Sequence, residues 1–226
     1  MSVVIIYICH DTNSVKSVIQ KNHKIIFVGN NELENEYINH PNIIIARNLK
    51  YNIEHEPKLL TFTAWYAIIY NQLFMEYEYL CLFEYDVEMD NNFESNLMYT
   101  CNQNKYNNIG FGKACPSYLF ASINIECIAN FLKNKQIDPY ILYRMPDWSC
   151  TTNQCMSRSV LKSFVDWYYP DCLEIKQADL NGFSWYHERL YSIYLNIMQH
   201  QYMYMDGLTH YSKNSHVENH INEYRM

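Results

Sequence analysis

The chain has 226 residues, a formal net charge of −7, 49% hydrophobic residues and 16% aromatics. Disorder over most of the length is excluded by that apolar content, and an acidic chain with no Lys/Arg block argues against nucleic acid or an anionic membrane surface as partner. The length suits one large domain, 1–226, with 210–226 a polar C-terminal tail or closing loop.

The first elements alternate. Val3 to Ile8 is rich in β-branched residues and predicts a strand rather than a signal peptide, since no basic segment precedes it. Asp11 to Gln20 places Val15, Val18 and Ile19 at helical spacing. Lys24 to Val28 is a second strand, ended by Gly29-Asn30-Asn31, and Ile43 to Ala46 a third, introduced by Pro41-Asn42. The spacing of Trp65, Ile68, Ile69 and Leu73 predicts a helix from Lys58 to about Met75. Strand–helix–strand–strand–helix with short turns points to an α/β fold with a mostly parallel central sheet flanked by helices.

Residues 80–90 then read LCLFEYDVEMD. An apolar run without alternation is what an interior strand of a parallel sheet requires, because both of its faces are covered. Tyr79 to Phe83 is therefore a buried strand that ends in Glu84, Tyr85 and Asp86. Ligands of open α/β sheets bind outside the carboxyl ends of the strands. Residues two apart on an extended chain face the same side, so Glu84 and Asp86 can meet one cation. Hard cations such as Mn²⁺ and Mg²⁺ take oxygen ligands and bridge to phosphates. A solvated acidic turn is the competing reading of these residues. Glu88 and Asp90 read as ordinary turn acids.

The second half is less regular. Residues 105–120 read as strands and turns, and Ile125, Ile128, Ala129 and Leu132 mark a helix. Residues 138–157 form a polar, aromatic connection. A helix follows from about Ser159 to Tyr168, and another begins near Ser184 with Leu190, Ile193, Tyr194 and Ile197 inward. Trp167, Tyr168 and Tyr169 sit on the helical pattern and read as core. Glu188, at the start of the last helix, suits the helix dipole. It reads either as a first-turn charge paired with Arg189 or as a general base. Trp148, Thr152, Asn153 and Trp185 combine aromatic rings with small polar groups, which suits a sugar acceptor. Among the C-terminal histidines His216 is the preferred metal ligand, with His210 next.

The eight cysteines include no C-x-x-C pair. Several end apolar runs, which reads as core in a reduced, cytoplasmic setting. No stretch reaches the ~18 apolar residues of a membrane span. The dinucleotide fingerprint, the P-loop and the G-x-S-x-G elbow are all absent.

The stretch LFEYDV resembles the D-x-D-type motif of GT-A glycosyltransferases, with Glu at its first position. His10-Asp11-Thr12 after the first strand and Trp185-Tyr186-His187-Glu188-Arg189 at a late helix start follow in the order of that family. The size and the Tyr/Asn-rich character also resemble small glycosyltransferases of large DNA viruses, which implies a host-cytoplasm location. The resemblance implies a GT-A-like (Rossmann-like) sheet and transfer of a sugar from a nucleotide diphosphate, UDP first, to a glycan or other hydroxyl. It implies that His10, Asp11, Thr12, Glu84, Tyr85 and Asp86 hold the nucleotide. Asp86, Glu84 and His216 would hold Mn²⁺ or Mg²⁺, and Glu188 would act on the acceptor. A nucleotidyltransferase, or a silent nucleotide- or glycan-binding module on the same fold, are the alternatives.

Overall fold

The computed structural model describes residues 2–103, 105–111, 123–144 and 152–210. Its centre is a seven-stranded sheet in the order β3-β2-β1-β4-β7-β6-β8. The strands are β1 (Val3–Cys9), β2 (Lys24–Phe27), β3 (Ile43–Ile45), β4 (Tyr79–Glu84), β6 (Asn108–Gly110), β7 (Gln154–Ser157) and β8 (Tyr202–Tyr204). The first four are mutually parallel, β7 is antiparallel to β4 and β6, and β8 is parallel to β6. Only β7 therefore opposes the common direction. A separate two-stranded ribbon pairs β5 (Val87–Met89) with β9 (Leu208–His210).

Strand parity divides the core. Val4, Ile6, Ile8, Leu80 and Leu82 belong to one buried cluster with Phe62, Trp65, Phe164, Tyr168 and Tyr191. These come from α3 (Thr61–Tyr70), α6 (Arg158–Tyr168) and α8 (Tyr186–Ile197), and α5 (Ile125–Asn134) and α7 (Cys172–Ala178) complete that layer. Ile5, Tyr7, Cys9, Cys81 and Phe83 face the other way, against Val15 and Val18 of α1 (Thr12–Val18) and Phe93 and Leu97 of α4 (Phe93–Asn102). A short α2 (Asn35–Ile38) precedes β3. Both faces of β1 and β4 are covered, which is why their sequences do not alternate. Each fully buried Ile, Leu or Phe here stabilises the fold by roughly 1.5–3 kcal/mol.

Several expectations change at their edges. The helix expected over Lys58–Met75 is shorter. A 3₁₀ turn runs Pro57–Leu59, and Leu60 adopts φ 45°, ψ −123°, so α3 starts only at Thr61. It stops at Tyr70, and Gln72 and Phe74 then take positive φ, which a right-handed helix cannot accommodate. The connection drawn over 138–157 ends in β7, a strand at the middle of the sheet. Glu88 belongs to β5 rather than to a turn, and His210, the first residue of the polar C-terminal stretch, is the last residue of β9. The expected core status of Tyr168 holds, at 0% exposure. Six cysteines among the described residues are free and buried. No helix among the described residues is long and apolar enough to cross a membrane.

Candidate functional site

The chain runs from β1 to β2 and β3 on one side, then returns to place β4 on the other side of β1. That reversal makes the carboxyl ends of β1 and β4 the switch point of the sheet, where a crevice opens. Ile8 and Glu84 are register partners across these strands. Glu84 therefore continues the row Leu80-Leu82 on the face that α3 covers, but beyond the core. A cavity of about 280 Å³ lies there. Ile8, Val28, Pro57 and Leu60 form apolar walls, while His10, Glu54, Thr61, Glu84 and Asp86 supply polar groups.

The tip of β4 is held from several directions. Asn153, 2% exposed, accepts the Glu84 N–H at Oδ1, 2.7 Å away. Tyr85 meets His10 edge-on at 5.2 Å between ring centres. Burial raises the Tyr85 hydroxyl above its ordinary pKa, and the charges of Asp86, Asp11 and Glu84 add to that shift. Three carboxylates, Glu84 and Asp86 at the tip of β4 and Asp11 after β1, thus act on the Tyr85 hydroxyl.

The turn after β1 is tied down by its own side chains. Asp11 Oδ1 accepts the Ser14 N–H at 2.7 Å, and Ser14 Oγ accepts the Asp11 N–H at 3.1 Å, a reciprocal cap on α1. That backbone bond is the main reason the Asp11 carboxyl lies below its ordinary pKa. Thr12 Oγ1 accepts from Glu34 N–H at 3.2 Å. His10, Glu84, Tyr85 and Asp86 are therefore brought together at the cavity, whereas Asp11 and Thr12 secure the loop beside it.

Glu188 sits in the first turn of α8, its Oε2 accepting from Arg189 Nη1 at 2.8 Å. Its side chain is 15% exposed and that of Arg189 4%. Glu188 does not line the cavity itself. The connection runs through its neighbour, since His187 Nε2 contacts Thr61 Oγ1 at 2.9 Å and Thr61 is part of the cavity wall. Trp185, 41% exposed, precedes α8 in a 3₁₀ turn. Thr152 and Asn153 are each 2% exposed, just before β7. Trp148 and His216 lie outside the described residues, and His210 is the register partner of Val87 on β9.

The sequence reading missed Glu54, which sits in the unremarkable polar run Tyr51-Asn52-Ile53-Glu54-His55. It is 6% exposed, and its Oε2 accepts the Gly29 N–H at 2.6 Å. Oε1 is buried and has no hydrogen-bond partner. Burial raises the Glu54 pKa, opposed by the Gly29 N–H and the charge of Arg47. No sequence pattern announces this residue; its signal is a contact with a glycine 25 positions earlier.

Among the described residues, no group of three His, Cys, Asp or Glu side chains is placed to hold a metal ion. Glu84 and Asp86 do offer two hard oxygen-bearing groups on one cavity. That pair fits a Mg²⁺- or Mn²⁺-type cation, which commonly takes one or two carboxylates and completes its shell with substrate phosphates and water.

No protein-family model matches this sequence, and no curated protein matches it. Solved structures do. A structure described as the WbbM bifunctional glycosyltransferase in its apo form superposes with a TM-score of 0.60 at 13% identity over 94% of this chain. The chain spans 46% of that protein's length. The mannosyltransferase Ktr4p from S. cerevisiae matches at a TM-score of 0.45 and 12% identity, covering 86% of this chain and 65% of the other. Its complex with GDP gives 0.46 and 12%, covering 86% and 66%. The fold is thus a mixed α/β fold shared with a glycosyltransferase.

Proposed function

We propose that this chain is a metal-dependent glycosyltransferase that moves a sugar from a nucleotide diphosphate, UDP in the first instance, to a hydroxyl of a glycan or similar acceptor. The observation that carries the reading is the acidic pair Glu84 and Asp86 facing one cavity at the β1–β4 switch point. The shared fold with WbbM, described as a bifunctional glycosyltransferase, supports it.

In this reading Asp86 and Glu84 are the ligands that hold a divalent cation against the diphosphate, with His216 added from the C-terminal segment. When bound, the cation supplies Lewis-acid stabilisation of the phosphoryl oxygens. His10 and Tyr85 border the nucleotide, and Trp185 borders the acceptor. The acceptor oxygen bonds to the anomeric carbon as the bond from that carbon to the diphosphate oxygen breaks. In an inverting enzyme Glu188 takes the acceptor proton, and the nucleoside diphosphate leaves with the bonding electron pair. Arg189, bonded to Glu188, fixes the direction of that carboxylate.

Calorimetric titration with UDP, with and without Mn²⁺, tests the reading together with release of sugar from UDP-sugars. Metal-enhanced UDP binding and metal-dependent transfer or slow hydrolysis are expected. Absence of metal enhancement, with Asp86→Ala binding UDP as the wild type does, overturns it. Formation of a UDP-sugar from UTP and a sugar 1-phosphate would assign the nucleotidyltransferase reading instead, and binding without turnover the silent module.

A further inference from the structure

The transfer chemistry gives no role to Glu54, a carboxyl of the cavity lining. Glu54 is 6% exposed and its Oε2 accepts the Gly29 N–H, yet its Oε1 is buried without a partner in a residue that lines the cavity. A buried acceptor left unpaired costs about 1–3 kcal/mol. Such a cost is recovered when a ligand brings a donor.

The position of Glu54 says which part of a ligand arrives there. Its bond to Gly29 puts it at the carboxyl end of β2, whereas Glu84 ends β4, and β1 lies between them. The two sites are two strand spacings apart, about 10 Å. Ile8 and Val28 line the span between them with apolar surface. Gly29 adds room at the far end, since a Cβ built there meets nothing within 4 Å. A diphosphate held by Glu84 and Asp86 has two substituents. In the transfer reading the sugar goes to the acceptor, and the apolar span of Ile8 and Val28 offers the nucleoside a path toward β2.

We infer that Glu54 anchors the nucleoside half of the donor, its Oε1 accepting a hydrogen bond from the ring N3–H of the base or from the ribose 2′-hydroxyl. This rests on the nucleotide-sugar reading above and names a residue and a ligand group within it. Glu54 is a binding residue and takes no part in bond making. The raised pKa of its carboxyl agrees with a site that is dry until the ligand fills it.

The test uses the full chain with Mn²⁺ and measures affinity for UDP, N3-methyl-UDP, 2′-deoxy-UDP and inorganic pyrophosphate. Glu54→Gln should weaken UDP by about tenfold or more, because the amide must either give up the Gly29 bond or turn its NH₂ toward the ligand's donor. Pyrophosphate affinity should stay unchanged. In the wild type, one of the two analogues should lose a similar factor, and Glu54→Gln should erase that analogue's deficit. A deficit of N3-methyl-UDP assigns the base, and one of 2′-deoxy-UDP the ribose. Equal UDP affinity in the variant, equal loss of pyrophosphate, or wild-type binding of both analogues as tightly as UDP overturns the inference. The analogue arms need no variant, so they stand even if Glu54→Gln folds poorly. A wild-type chain that binds no nucleoside diphosphate at all overturns the transfer reading with it, and the two failures are thereby told apart.

Discussion

His187 Nε2 lies 2.9 Å from Thr61 Oγ1, and both residues are buried, at 1% and 8% exposure. The contact joins the first turn of α8 to the first residue of α3. It is a direct polar link between the neighbourhood of Glu188 and the cavity wall. Thr61→Val keeps the shape and removes the hydroxyl. The expected cost is about 1–3 kcal/mol in urea unfolding, since a ring nitrogen is left buried without its partner. In the transfer reading the catalytic rate falls as well, while Thr61→Ser restores both. A rate unaffected by Thr61→Val would separate this link from the positioning of Glu188.

The same histidine makes stability depend on pH. Burial, with the Arg189 charge as a second cause, pushes His187 from 6.5 down to about 3. Below pH 6.5 the unfolded chain takes a proton that the folded chain refuses. The contribution to stability is therefore whole above pH 6.5 and is lost as pH falls toward 3. Between pH 6.5 and 5 the loss is about 2 kcal/mol from this residue. His23 and His200 are also lowered by burial and act with the same sign. Glu54 is raised, so its contribution has the opposite sign and is lost as pH rises. Urea unfolding at pH 7.5 and 5 should show a smaller acid loss in His187→Gln than in the wild type. Parallel profiles would count against His187 as a source of the acid limb.

The architecture was legible where one residue pattern answers to one physical demand. The unalternated run Leu80-Cys81-Leu82-Phe83 announces a strand buried on both faces, and all four side chains are at 0% exposure. The end of that strand was then a place to expect a ligand, and Glu84, Asp86 and His10 do share a cavity. The opposite wall was not legible. Leu60 takes a positive φ that no local sequence signal requires, and this break lets Thr61 and Pro57 border the cavity instead of continuing one helix. Glu54 looks like a solvated loop acid until the Gly29 N–H of another strand end is brought to it. Helix α4 escaped because Phe93, Leu97 and Cys101 form only a thin buried stripe in a polar segment.

Asn153 belongs to the site through the backbone it holds. Its Oδ1 accepts the N–H of Glu84 from the turn that leads into β7. Asn153→Ala leaves that N–H without this partner, and an expected loss of about 1–3 kcal/mol follows. The tip carrying Glu84 and Asp86 should also loosen, weakening Mn²⁺-assisted UDP binding. Asn153→Asp keeps an acceptor oxygen and should recover most of the stability. It also adds a charge beside two carboxylates, so its metal affinity need not return to the wild-type value. If Asn153→Ala lowers stability and leaves metal-assisted binding intact, Asn153 supports the fold alone.

Glu188 separates the catalytic reading from a purely structural one. Its carboxylate is bonded to Arg189, which is 3% exposed, so deleting the side chain strands a buried cation. Glu188→Ala would confound lost chemistry with that penalty. Glu188→Gln keeps the volume and an oxygen for Arg189 Nη1, while it removes the carboxylate's charge and its ability to accept a proton. For a general base, the expected result is turnover down by about 10²–10⁴-fold. UDP affinity and the melting temperature should stay close to wild type. A collapsed melting temperature with proportionate loss of activity would mean that the Glu188–Arg189 pair serves α8 itself. Retained turnover in a stable Glu188→Gln protein would remove Glu188 from the proton transfer and leave the acceptor to be activated by another group.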